Sequence, residues 1–234
     1  MTNREDIPMT LGDAAPATRG ADPTRTTRVA PLNWLTARNL SDLGELTARW
    51  LEGTVATGPA FGGALDEQTR TIAPRLASIN RRGLVTLASQ PAQRIADGYG
   101  RRAFVEGFID EPRALTVSRM LLGTDIILLI RPPAWSATHR SIRPARPAEI
   151  TVEISAGMPL TRAGNCHTYA DIKYLYGMCG GCSRRAVASL GHACQVTAID
   201  PVWGRPDYLW EALSLALTST GPGRPPARAI IAPR

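Results

Sequence analysis

GLVTLASQPAQRIADGYGRRAFVEGFI, residues 83 to 109, decides what kind of fold this chain forms. Upstream of it, Ile72, Leu76 and Ile79 recur at helical spacing between Asp66 and Arg82, and Gly83 stands where a helix C-cap belongs. Pro74 lies inside that stretch, where it either starts a second helix or kinks the first. The period then changes. Leu84, Val85 and Leu87 make a short apolar strand ended by Pro91, and Arg102 to Ile109 make another, interrupted by Gly107. A helix followed by strands predicts an α/β protein.

The flanks repeat the alternation. Ser41 is placed to cap a helix carrying Leu43, Leu46, Trp50 and Leu51. Asp110 or Glu111 before Pro112 opens a helix through Ala114, Leu115, Val117, Met120 and Leu121, stopped by Gly123. Asp125 to Ile130 is apolar on both faces, as central strands are. Ile150, Val152 and Ile154 alternate, which predicts a half-buried strand near an edge. Asp171 to Tyr176 reads either way. Ser183 caps a short helix through Val187 and Leu190, Gln195 to Ile199 is a strand, and Asp207 caps a helix carrying Leu209, Trp210, Leu213, Ala216 and Leu217. The expected architecture is one layered α/β domain over residues 34–220, with a mixed central sheet flanked by helices. Residues 1–33 and 221–234 are rich in Pro, Ala, Thr and Arg without apolar period and are expected to be disordered tails.

Composition narrows the class. Of the 234 residues, 44% are hydrophobic and 20% charged, as in ordinary globular proteins. The formal charge of +7 comes almost wholly from arginine, and Arg224, Arg228 and Arg234 leave the C-terminal tail basic. The opening residues lack the basic end and apolar run of a signal peptide, and the run from Ile126 to Ile130 is too short to span a bilayer. A cytoplasmic protein with reduced cysteines is the expectation. No Gly-x-Ser-x-Gly, Gly-x-x-x-x-Gly-Lys-Ser/Thr, His-Glu-x-x-His or Gly-x-Gly-x-x-Gly motif occurs.

Three groups of residues invite chemistry. Cys166, Cys179, Cys182 and Cys194 lie close in sequence, with His167 and His192 among them. A Cys-x-x-Cys turn flanked by one more cysteine on each side has the spacing of a closed, structural zinc site. Small core thiols beside a glycine-rich turn are the plainer reading. A redox thiol is a third, because Arg184, Arg185 and a helix N-terminus after Cys182 would lower its pKa. The second group is the strand exits, where open α/β sheets bind ligands. There Gln90, Arg131, Asp200 and Arg205 could converge on a small polar or anionic ligand, with Trp203 as a wall. The third is the arginine-rich loop 131–147, in which Trp135 sits among Arg131, Arg140, Arg143 and Arg146. Stacking and phosphate pairing there, with the basic tail, suit nucleic acid or a protein partner, although a plain surface loop reads the same way. Glu106, in a strand near Arg101 and Arg102, reads as a salt-bridge partner.

Four blocks in order, NLSDLGELTARWLEG (39–53), SINRRGLVTLASQPAQ (78–93), RRAFVEGFI (101–109) and QVTAIDPVWGRPDYLWEAL (195–213), resemble a family of uncharacterised hypothetical proteins from actinobacteria, Streptomyces-like in composition. The resemblance covers most of residues 35–217 and implies an integrated domain. It brings no activity, and the cysteine cluster is not part of it. Two readings of function remain. One is an α/β domain that binds a small polar or anionic ligand at its strand exits. The other is a nucleic-acid- or protein-binding accessory module, with or without a stabilising zinc.

Overall fold

A computed structural model describes residues 31–60, 63–136 and 150–219. Helix α1 (Leu40–Leu51) and helix α2 (Glu67–Arg81) come first. Strands β1 (Val85–Gln90), β2 (Gln93–Ala96), β3 (Tyr99–Arg101) and β4 (Phe104–Ile109) follow. Then come α3 (Glu111–Leu121), β5 (Ile127–Arg131), β6 (Ile150–Ser155) and β7 (Met158–Ala163). The chain continues through a short α4 (Tyr169–Ile172), drawn out into a π-helical segment Lys173–Cys179, then α5 (Arg184–Gly191), β8 (Cys194–Ile199) and α6 (Tyr208–Thr218). Among the described residues, no helix is long and apolar enough to cross a membrane.

The α/β expectation holds, with a different sheet plan from the one expected. In place of one mixed sheet there are two four-stranded sheets, ordered β1-β4-β8-β5 and β2-β3-β6-β7, with every neighbouring pair antiparallel. The unit β4-α3-β5 does return a parallel strand, but β8 lies between the two and pairs with both. Ile150, Val152 and Ile154 form an inner strand of the second sheet, β6, and not an edge. Their alternation arises because that sheet packs one face inward.

Most helix boundaries follow local chemistry. Asp66 caps α2, Asp110 caps α3 and Ser183 caps α5, each side chain accepting a backbone N–H of the first turn. Helix α1 is capped by Asn39, two residues before the expected Ser41. Asp207 precedes α6 without a side-chain cap, because its carboxylate pairs with Arg75 instead. Pro74 sits within one continuous α2, on its exposed side, where water can take the carbonyl that the proline leaves unbonded.

The central strands β4 and β8 of the first sheet are buried on both faces. Val105, Ile109, Val196 and Ala198 meet Leu76, Ile79, Val117, Trp210 and Leu213 from α2, α3 and α6. On the opposite face, Val85 and Phe108 meet Leu43, Leu46, Tyr176, Val187 and Leu190, with Phe108 edge-on to Tyr176 at 5.8 Å. Burying a ring such as Phe108 contributes about 2–3 kcal/mol. Farther along that face, Phe104 and Ile199 meet Val152 and Ala163 of the second sheet. Strand alternation puts Glu106 and Thr197 between these two apolar clusters.

Candidate ligand site

The strand-exit residues are positioned by the register. Strands β1 and β8 both run antiparallel to β4, so Gln90 and Asp200 emerge at the same end of the first sheet. Strand β5 runs the other way, and Arg131 lies opposite Gln195 at the far end. The four residues therefore do not converge, because exits align only where strands run parallel.

The three that share an end are occupied by the protein itself. Gln90 donates from Nε2 to the carbonyls of Arg102 (3.0 Å) and Val152 (3.1 Å), tying the two sheets together. Asp200 is fully buried and accepts from Val202 N (2.9 Å) and from Arg205 Nε and Nη2 (both 2.7 Å). Arg205 also donates to both oxygens of Asp125 (2.9 Å), and its guanidinium lies 3.7 Å from the Tyr208 ring centre. Hydrogen bonds to Asp200 hold the Arg205 pKa above its ordinary value. Trp203 is stacked on Arg102 at 4.5 Å. Burial lowers the pKa of Arg102, and the charge of Asp200 opposes that shift. Asp200 and Arg205 form a closed network, beside which the Arg102 Nε is buried without a partner.

The cysteines separate in space. Cys194 belongs to the apolar cluster on one face of the first sheet and Cys182 to the cluster on the other. Cys179 is exposed, and Cys166 is half-buried within electrostatic reach of Arg131. Among the described residues, no three His, Cys, Asp or Glu side chains converge as metal ligands. The glycines of the Cys-x-x-Cys turn have a packing reason. A Cβ on Gly180 would overlap the Pro59 carbonyl, and Gly181 adopts φ +62°. Burial pushes the Cys182 thiol up to about 12, the opposite of the lowering expected from the neighbouring arginines.

Glu106 is buried, without an ion pair among the described residues. One of its oxygens accepts from Gly164 N (2.6 Å) and Thr197 Oγ1 (3.1 Å), which anchors residues 164–168 across the sheet. Gln195 completes that anchor by exchanging two 2.7 Å hydrogen bonds with the His167 backbone. The salt bridge expected of Glu106 is made by Glu153, which accepts from Arg101 Nε (2.9 Å) and Tyr99 (2.7 Å). Of the arginine-rich loop, residues 137–149 lie outside the described residues, with His139, Arg140, Arg143 and Arg146. So do residues 1–30 and 220–234. Trp135 is described and packs against Tyr169 (4.4 Å) and His192 (4.3 Å).

A cleft of about 310 Å³ lies elsewhere, along β1. Trp50 and Leu51 at the end of α1 form one wall, and Gly58, Pro59, Ala60, Gly63 and Ala64 form another. Leu76 and the β1 residues Thr86 to Ser89 complete it, with Asp66 and Thr69 from the first turn of α2. β1 ends the first sheet, so one row of its backbone groups points away from β4. Trp50 is held by a hydrogen bond from Nε1 to Gly63 O (3.2 Å). Asp66 accepts from Thr69 N (2.8 Å) and Thr69 Oγ1 (2.7 Å). Burial acts to raise the Asp66 pKa, but those hydrogen bonds outweigh it and hold the carboxyl below its ordinary value. The cleft thus combines an indole, aliphatic walls, a stable carboxylate and hydroxyls, and among the described residues no lysine or arginine lines it. Sequence reading took Trp50, Leu51, Leu76 and Leu87 as apolar positions of helices and a strand and made none of this set a candidate ligand residue.

A family model described as a domain of unknown function, DUF6919, matches residues 30–220. The chain belongs to that family. Its match spans both sheets and every described helix, so the cleft lies inside the family domain. No curated protein matches the chain significantly.

Proposed function

We propose that this domain binds a small molecule in the cleft along β1. The ligand has a planar or apolar body and a hydrogen-bond donor, and it is neutral or positively charged. The observation that carries the reading is the lining itself: Trp50 and Leu76 beside Asp66, Thr69 and Ser89, with no cation within the walls. An indole face suits a ring or a cationic head, and a carboxylate held ionised takes a donor. An anion would meet the Asp66 carboxylate with no compensating cation among the described residues. The polar part of the strand-exit expectation is therefore kept, at a different place, and the anionic part is dropped.

Thermal shift on the full chain tests this with tyramine and adenosine as probes and citrate and phosphate as controls. A ligand at a hundred times its Kd adds about 2.7 kcal/mol of stability. Saturable stabilisation by tyramine or adenosine, and none by the anions, is expected. Asp66→Asn keeps a helix cap but removes the charge, and should abolish the tyramine response. Stabilisation by citrate or phosphate alone, or a tyramine shift that survives both Asp66→Asn and Ser89→Trp, would refute the proposal.

A further inference from the structure

The two sheets have four edges, and three carry features that discourage pairing with another chain. β1 is bulged between Thr86 and Ala88, β2 has four residues with a register shift, and β7 contains Pro159. β5 is different. Its sequence ILLIR has no proline, its pairing with β8 has no bulge, and its residues are apolar up to Arg131. Among the described residues no backbone hydrogen bond reaches its outer side. Beside it runs a groove of about 370 Å³ that includes Leu122, Leu128 and Ile130. Leu122 is 76% exposed and Ile130 36%, and Leu115 and Met120 of α3 add further exposed apolar surface.

We propose that β5 is a homodimer edge, pairing antiparallel with β5 of a second copy around a two-fold axis at Leu128. Charge selects both the occupant and the register. The Arg131 side chain makes no ion pair or hydrogen bond with any described residue, and its Nε is buried without a partner. Asp125 lies just before the strand and is half-exposed, with Arg205 on one side. Antiparallel pairing about Leu128 sets Asp125 opposite the second copy's Arg131, and by symmetry does so twice. A register centred on Leu129 would set Arg131 against Ile127 instead. About Leu128, Ile126 and Ile130 face each other across the axis and extend one apolar row over both grooves. The result is a continuous eight-stranded sheet, and no foreign partner is needed to supply the complementary charge.

Sedimentation velocity on the full chain between 1 and 100 μM is the test. The 25.1 kDa chain should sediment as a dimer of about 50 kDa, twice that mass. Leu122→Glu, at an exposed position that leaves the fold intact, should weaken the dimer at least tenfold, as should Arg131→Glu. In a Cys179→Ser background, Leu128→Cys should crosslink to its own copy under mild oxidation, whereas Ile126→Cys should not, since its opposite residue is Ile130. A monomer at 100 μM overturns the proposal. So does a dimer that tolerates both glutamate variants, or one that crosslinks equally through Ile126→Cys.

Discussion

The strand ends at Gln90 and Asp200 and the cleft beside β1 lie on the same sheet and hold similar residue types, yet they are opposite in chemical state. At Asp200 both carboxylate oxygens already have partners, and the carboxylate has no exposed surface. In the cleft, the Ser89 hydroxyl makes no hydrogen bond within the described residues, and the exposed Asp66 carboxylate accepts from Thr69 of its own helix turn. Buried polar groups that satisfy one another hold a fold together, whereas a binding site needs capacity left over. By that measure Asp200 and Arg205 are the framework and the cleft is the place for a ligand.

The sharpest way to break the comparison is at Asp200. Asp200→Ala strands the Arg205 guanidinium and Val202 N–H, and removing one partner of a buried pair costs roughly 3–5 kcal/mol. Urea denaturation should show a loss near the lower end, since Arg205 is part-exposed and keeps Asp125. A loss below about 1 kcal/mol would mean that this end is not a framework. Glu106→Ala comes next. It leaves Gly164 N and Thr197 Oγ1 without their acceptor, at about 2 kcal/mol. Hydrogen exchange should then speed up at Gly164 and His167 before the rest of the sheet.

These contrasts also explain what could be read from residues alone. Helices α1, α2, α3, α5 and α6 were legible because apolar period and termination signals agree. Strands β2, β3 and β7 were missed because QRIA and YGR hold too few apolar residues for a period and Pro159 interrupts MPLTRA. Their turns did carry a signal. Asp97-Gly98 and Ala156-Gly157 both adopt positive φ, as a tight hairpin requires, and Asp-Gly is a recognised mark of one. The order of strands was not legible, since β8 enters between β4 and β5 from far along the chain. That insertion separated Arg131 from the other predicted ligand residues. The cleft was hidden for a related reason: its walls come from four segments, and glycine, proline and alanine in one of them show no pattern until folded.

A smaller effect concerns the thiol of Cys182. Burial raises its folded-state pKa to about 12, above the 9.0 of an unperturbed thiol. The folded state therefore favours the neutral thiol. The associated stability is fully present below pH 9 and is lost progressively as pH rises towards 12, because only the unfolded chain can ionise. Each unit of pH in that window removes about 1.4 kcal/mol at most. Relative to wild type, Cys182→Ala should flatten the alkaline limb of a stability profile between pH 9 and 11. An unaltered limb in Cys182→Ala would show that the thiol is not held in an apolar site.

The smallest effect is expected in the cleft itself. Ser89→Ala removes a hydroxyl that makes no hydrogen bond within the described residues, so stability should change by no more than about 0.5 kcal/mol. Its value lies in pairing with the Asp200 result. A framework residue and a site residue at the same end of one sheet should differ several-fold in their cost to stability, and the order should reverse for ligand affinity. If Ser89→Ala destabilised the chain as much as Asp200→Ala, the hydroxyl would belong to the packing and the open cleft would lose one of its polar groups.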